Sequence, residues 1–130
     1  MAPEPLSYVD SSALAKLVVT AHETGPLERH LRGRRMASSE LAIVEVSRAE
    51  KRVEALARST ARSVLAEVDL VALTRGLLER AADATSEELR SLNAIHLATA
   101  LEIDPDDFVA YDQRLLEAAM AAGLRTASPR

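Results

Sequence analysis

Acidic residues stand where short apolar runs end. Asp10 closes LSYVD, Asp112 follows FVAY, and Glu45 lies inside SSELAIVEVSRA. Asn93, in LRSLNAIHLATAL, occupies the place where a fourth acid would be expected. Carboxylates at the C-terminal ends of parallel strands converge over one edge of a sheet. Like charges gathered there are costly unless a cation neutralises them. The donors are hard oxygens and the chain has no cysteine, so the cation expected is Mg²⁺ or Mn²⁺. Such a set suits metal-assisted cleavage of a phosphodiester.

Each residue also has a plainer reading. Asp10 and Asp112 each precede a helical pattern and could be N-caps; two acids in the same context favour a shared site over two separate caps. Glu45 has Leu41, Ala42, Arg48 and Ala49 as helical neighbours. A carboxylate on that largely apolar stripe is poorly explained by solvent, and its structural alternative is an ion pair with Arg48. Glu40 faces another direction, toward a pocket rim. Asn93 shares a helical face with His96 and Ala100, with Leu92, Ile95 and Leu101 packing inward; its alternative is a helix cap. His96 reads more readily as a core histidine than as a catalyst, and His22 and His30 as surface residues. Ser12 either places a hydroxyl beside the cation or satisfies the turn after Asp10. Arg114 either binds substrate phosphate or makes a structural salt bridge. No Gly-rich phosphate loop, nucleophile elbow or HxxxH zinc pair is present.

Strands alternating with helices must position these groups. Residues 6–10 read as a strand, followed by a helix capped at Ser11 or Ser12 and running to about residue 21 with Leu14, Leu17 and Val18 on its apolar face. Gly25-Pro26 breaks the chain, with a short amphipathic turn through Leu31. Residues 35–37 return to the sheet, and Ser38 or Ser39 caps the helix that carries Glu45. Residues 51–66 form an Ala-rich helix buried through Val53, Leu56, Ala57 and Val64. A strand over 68–73, a helix from Thr74 through Ala82, a capping sequence at 85–88 and a helix over about 91–101 come next. Asp104-Pro105-Asp106 makes a turn. A strand over 108–111, a helix over 113–121 stopping at Gly123, an edge strand over 124–127 and a frayed end complete the chain. This order implies a parallel sheet with helices on both faces.

The 130 residues suit one domain, spanning 1–130, with enough length to bury a core. Apolar residues make up 48% of the chain and aromatics 2%, so the core is expected to be aliphatic. The absence of cysteine rules out a disulfide scaffold and a thiol nucleophile and is compatible with the cytosol. With no signal-type opening and no bilayer-length apolar run, a cytoplasmic protein away from the membrane is expected. The net charge of -4 argues against unspecific coating of nucleic acid. Lys16 and Lys51 are the sole lysines; an arginine bias of this kind suits bidentate phosphate contacts and equally suits a GC-rich genome.

The segments VDSSALAKL, ASSELAIVEVSRA, LRSLNAIHLATAL and FVAYDQRLLEAAMAAGL resemble the PIN-domain family, most of all its VapC-type ribonuclease toxins from toxin–antitoxin pairs. The similarity covers nearly the whole chain in motif order. Asp10, Ser12, Glu45 and Asp112 match the family pattern, and Asn93 falls on its third acid. The resemblance implies a three-layer α/β/α sandwich with a five-stranded parallel sheet. It also implies Mg²⁺- or Mn²⁺-dependent RNA cleavage leaving 3′-hydroxyl and 5′-phosphate ends. A structured site in tRNA or rRNA is the expected target, a homodimer the expected assembly, and a VapB-type antitoxin the expected inhibitor. Asn93 offers one neutral oxygen and no charge, so the metal site is expected to be weakened. It is either the mark of a low-activity member or a change that makes a toxic protein safe to produce. The alternative function is a catalytically impaired PIN-fold protein that binds RNA or antitoxin. A phospho-acceptor domain would need a second acid beside Asp10 and a late lysine, and has neither.

Overall fold

The computed structural model describes residues 3–50, 55–84 and 87–130. The chain runs β1 (Leu6–Val9), α1 (Ser11–Val18), α2 (Thr24–Leu31), β2 (Arg35–Ser39), α3 (Leu41–Glu50), α4 (Ala55–Ala66), β3 (Val68–Val71), α5 (Arg75–Ala82), α6 (Ser91–Ile103), β4 (Asp107–Val109), α7 (Gln113–Ala121) and β5 (Thr126–Ala127). The strands form one five-stranded sheet in the order β3-β2-β1-β4-β5, and every pairing is parallel. The chain steps from β1 outward through β2 to β3, then crosses back to β4 on the other side of β1. Right-handed crossovers therefore place helices on both faces, giving the expected three layers.

Alternation along the central strands feeds two cores. Val9 and Val109 face one side, with Ala13 and Leu14 of α1, Leu27 and Leu31 of α2, Ala42 and Val46 of α3, and Ala61 of α4. Tyr8 and Phe108 face the other, with Leu97 and Ala100 of α6 and Leu115, Leu116 and Ala119 of α7. Tyr8 pairs in register with Phe108, and their rings stack at 5.3 Å. No helix among the described residues is long and apolar enough to cross a membrane.

Several elements depart from the sequence expectation. Gly25-Pro26 lies within the first turn of α2 and does not break the chain, because a proline there sacrifices an N–H that has no intrahelical partner. The first helix stops at Val18, short of residue 21. The strand carrying Phe108 ends at Val109, two residues early. Ser38 and Ser39 belong to β2; Ser39 Oγ does accept from Leu41 N at 3.0 Å, whereas Ser38 is fully buried. Glu87 and Glu88 precede α6 without entering its first turn, and Arg90 is its N-cap. Residues 85–86 of that capping sequence, and the beginning of the 51–66 helix with the side chains of Val53, Leu56 and Ala57, lie outside the described residues. On α6 the inward residues are Ala94, His96, Leu97, Thr99 and Ala100. Leu92 and Leu101 are 47% and 46% exposed. The C-terminal residues do not fray: the Tyr111 hydroxyl donates to Pro129 O at 2.8 Å, and the Arg130 guanidinium lies over the Tyr111 ring.

At the N-terminal end of the sheet, Asp107 is buried and takes His30 Nε2 at 2.7 Å and an Arg34 N–H at 3.2 Å. Arg34 Nε also donates to Ser7 Oγ at 2.6 Å. His30 is therefore a structural partner and not the surface residue its sequence suggested; His22 is exposed.

Candidate active site at the C-terminal edge of the sheet

The sheet order reverses between β1 and β4, which makes their C-terminal ends the crevice where open α/β sheets bind ligands. Asp10 immediately follows β1, and its N–H donates to Val109 O at 3.1 Å. Asp112 lies three residues beyond the end of β4. Both are N-caps: Asp10 accepts from Ala13 N and Asp112 from Leu115 N, each at 3.0 Å. The plain reading of each acid is thus realised, and the same turns leave both at one end of neighbouring strands. Asp10 is 3% exposed, whereas Asp112 is exposed. Ser12 Oγ donates to Asp10 at 2.8 and 3.0 Å.

Burial raises the Asp10 carboxyl above the ordinary range, and nearby Glu45 adds to the rise. The Ala13 N–H, the Ser12 hydroxyl and His96 offset part of it. Glu45 shows the reverse balance. Desolvation is its largest single influence and pushes upward, yet the hydrogen bonds from His96 and Ser11, with the field of the imidazole, leave it below the ordinary value.

Glu45 does not pair with Arg48. Its Oε1 accepts from Ser11 Oγ at 2.6 Å and from His96 Nε2 at 2.8 Å. His96 is 1% exposed, and its Nδ1 meets the Tyr8 hydroxyl at 2.6 Å. Burial drives the Tyr8 pKa well above its ordinary value, so the phenol stays neutral and has a proton to offer Nδ1. The proton on Nε2 is then free to go to Glu45, a tautomer assigned from the hydrogen-bond pattern. Ser11 Oγ also lies 3.0 Å from Nε2. This is not a Ser-His-acid triad, in which serine and acid take opposite ring nitrogens; here both meet Nε2.

Asn93 lies one turn before His96 on α6 and is half-buried, with no side-chain hydrogen bond among the described residues. Glu40 turns elsewhere and accepts from Leu73 N at 2.9 Å. Arg114 is exposed and lines a groove of about 800 Å³ with Leu97, Leu101, Glu117 and Ala118. Neither Asp10, Glu45, Asn93 nor Asp112 lines that groove. The sequence reading missed the joint role of Tyr8, Ser11 and His96. The available signal was a tyrosine two residues before Asp10 and the single histidine of α6.

Three carboxylates and one amide oxygen are chemically suited to Mg²⁺ or Mn²⁺, and the buried Asp10 carboxylate is a group that a cation would relieve. The spacing is less complete: among the described residues, no group of three or more His, Cys, Asp or Glu is placed to hold a metal ion.

The sequence profile of the PIN domain family matches residues 7–120. The chain is 41% identical to Ribonuclease VapC46 of Mycobacterium tuberculosis over 125 residues, covering 94% of this chain and 96% of that one. It is 38% identical to Ribonuclease VapC47 of the same species over 130 residues, with the same coverage. Among solved structures, M. tuberculosis VapC20, described as a sarcin-ricin loop cleaving toxin, superposes with a TM-score of 0.75 at 20% identity, covering 95% of this chain and 99% of that one. A chain from a Klebsiella pneumoniae toxin–antitoxin complex gives 0.73 at 20% identity, covering 95% and 98%. The last two likenesses speak to the fold. The chain belongs to the PIN-domain family, among its VapC-type ribonuclease toxins.

Proposed function

We propose that this chain is an Mg²⁺- or Mn²⁺-dependent endoribonuclease, the toxin of a pair whose VapB-type antitoxin restrains it. The observation that carries the reading is the placement of Asp10 and Asp112 at the ends of the adjacent strands β1 and β4, where the sheet order reverses. The ribonuclease names of relatives that match over 94% of the chain support it. Asp10, Glu45 and Asp112 would hold the cation, with Asn93 as a neutral fourth donor. When bound, the cation supplies charge neutralisation at the phosphate and makes water a better nucleophile.

The protein's own groups do the rest. Ser12 holds the Asp10 carboxylate in one orientation through its two contacts. Glu45, fixed through Oε1, or the exposed Asp112 orients the attacking water. No covalent nucleophile is needed. Arg114 would reach substrate phosphate from the groove beside α6 and α7. A structured region of tRNA or rRNA is the substrate class we assign, and a homodimer the assembly.

The test is incubation of total RNA with the purified chain, with and without Mn²⁺, and mapping of fragment ends. Metal-dependent cuts at defined positions, leaving 5′-phosphates, are expected. Asn93 and the incomplete spacing of acids favour a second reading, a PIN-fold protein that binds RNA or antitoxin without cutting. Intact RNA at every Mn²⁺ concentration, with RNA retained by the protein, would select that one.

A further inference from the structure

The mechanism above uses Glu45 but not the two buried groups behind it. His96, on α6, links β1 to α3, with one ring nitrogen on Tyr8 and the other on Glu45. Tyr8 is itself fixed. It is fully buried, stacks on Phe108 with the ring planes 3° apart, and meets the imidazole edge-on at 5.9 Å. Its hydroxyl therefore reaches Nδ1 from a ring that cannot turn away, and the ionised Glu45, an acceptor only, requires the proton on Nε2. That proton and the Ser11 hydroxyl both go to one oxygen of Glu45, Oε1. No described residue donates to Oε2.

We infer that His96, oriented by Tyr8, is a positioning residue that anchors Glu45 through Oε1 and leaves Oε2 as the oxygen offered to the site at the ends of β1 and β4. The inference rests on the reading of Glu45 as a ligand of the cation. A carboxylate half-exposed at the tip of a helical side chain would otherwise sample several rotamers. Two donors on one oxygen restrict it to one and bias it toward single-oxygen coordination, the usual effect of partners behind a metal ligand. A histidine that served only to fill the core would be indifferent to which donor replaced it.

The experiment measures binding of Mn²⁺ alone, by water-proton relaxation, to the full chain and to His96→Ala and His96→Gln. Ring ¹⁵N shifts of His96 are recorded in parallel for the unsubstituted chain, Tyr8→Phe and Glu45→Gln. His96→Ala should weaken Mn²⁺ binding by about 10- to 100-fold. His96→Gln should recover most of the loss, because its amide N–H can still donate to Oε1. RNA cleavage by His96→Ala should lose kcat with little change in KM. The ring shifts should report the Nε2–H tautomer, a mixed population in Tyr8→Phe, and a displaced Nε2 signal in Glu45→Gln. Unchanged Mn²⁺ affinity in a folded His96→Ala overturns the proposal, as does a glutamine variant no better than alanine. Should His96→Ala fail to fold, Ser11→Ala and Tyr8→Phe decide instead: a several-fold weaker Mn²⁺ affinity in each upholds the anchor, and unchanged affinity in both overturns it. If the unsubstituted chain binds no Mn²⁺ but Glu45→Gln still displaces the Nε2 signal, the cation reading of the site fails and the anchor stands.

Discussion

Asp10 and Glu45 are carboxylates at the same end of the sheet with opposite electrostatic histories, and substitution should separate them. The Asp10 pKa is raised in the folded chain. The folded state then holds its proton more tightly than the unfolded state, so ionising Asp10 costs stability as pH rises through that pKa. Asp10→Asn removes the cost and still caps α1. We expect metal-dependent cleavage to vanish and the metal-free Tm at pH 7 to rise by about 2–5 °C. The gain should shrink as pH falls through the raised pKa of Asp10. The Glu45 pKa is lowered, so its contribution is present above its ordinary pKa and is lost as pH falls through the folded value. Glu45→Gln should therefore cost about 1 kcal/mol at neutral pH, read from urea midpoints. At Asn93, a carboxylate would add charge beside the cation. Asn93→Asp should raise the initial cleavage rate about 5- to 150-fold, corresponding to about 1–3 kcal/mol of transition-state stabilisation. Equal rates and equal Mn²⁺ affinities would return Asn93 to its plain role near the start of α6. At this scale the sequence disclosed what local pattern can disclose. Asp10 and Asp112 end apolar runs, and any reader of LSYVD and FVAYD can see it. The bonds from His96 to Tyr8 and Ser11 join positions 88 and 85 residues apart, and no local pattern encodes such a meeting.

Among the elements, the parallel sheet was legible because strand and helix patterns alternate, and boundaries were where the reading slipped. Pro26 looked like a break because proline stops helices from inside, while in a first turn it is harmless. α6 looked inward-facing through its leucines because size suggests burial. A helix seated close on a sheet is chosen instead by what fits, so His96 and Thr99 went in and Leu92 and Leu101 stayed out. α6 ends on Asp104, the one non-glycine among the described residues with a left-handed backbone, at φ 47°. Glycine adopts that conformation without a steric cost. Asp104→Gly should preserve the fold and raise stability by about 0.5–1 kcal/mol, whereas Asp104→Val should lower it by about 1–2 kcal/mol; paired urea melts would measure both. At the opposite end of the sheet, Asp107 holds His30 and Arg34 together. Asp107→Ala would leave the Arg34 guanidinium without its partner carboxylate and should cost about 3–5 kcal/mol, with no direct effect on Mn²⁺ affinity in the fraction that remains folded. A parallel fall in affinity would mean that the two ends of the sheet are coupled.

For the molecule as a whole, the central pairing joins its earliest strand to one of its latest. The first residue of β1 is tied to the residue before β4 by a bond from Leu6 N to Asp106 Oδ2, across a separation of 100 residues, and Asp10 and Asp112 come to the same end of neighbouring strands only once that pairing forms. Time enters here. At about 5–20 residues per second, a ribosome needs roughly 5–20 s to add the chain between them. Throughout that interval Asp10 waits for the strand that leads into Asp112. On the proposed reading, a site that needs both acids cannot cut RNA before β4 has paired with β1.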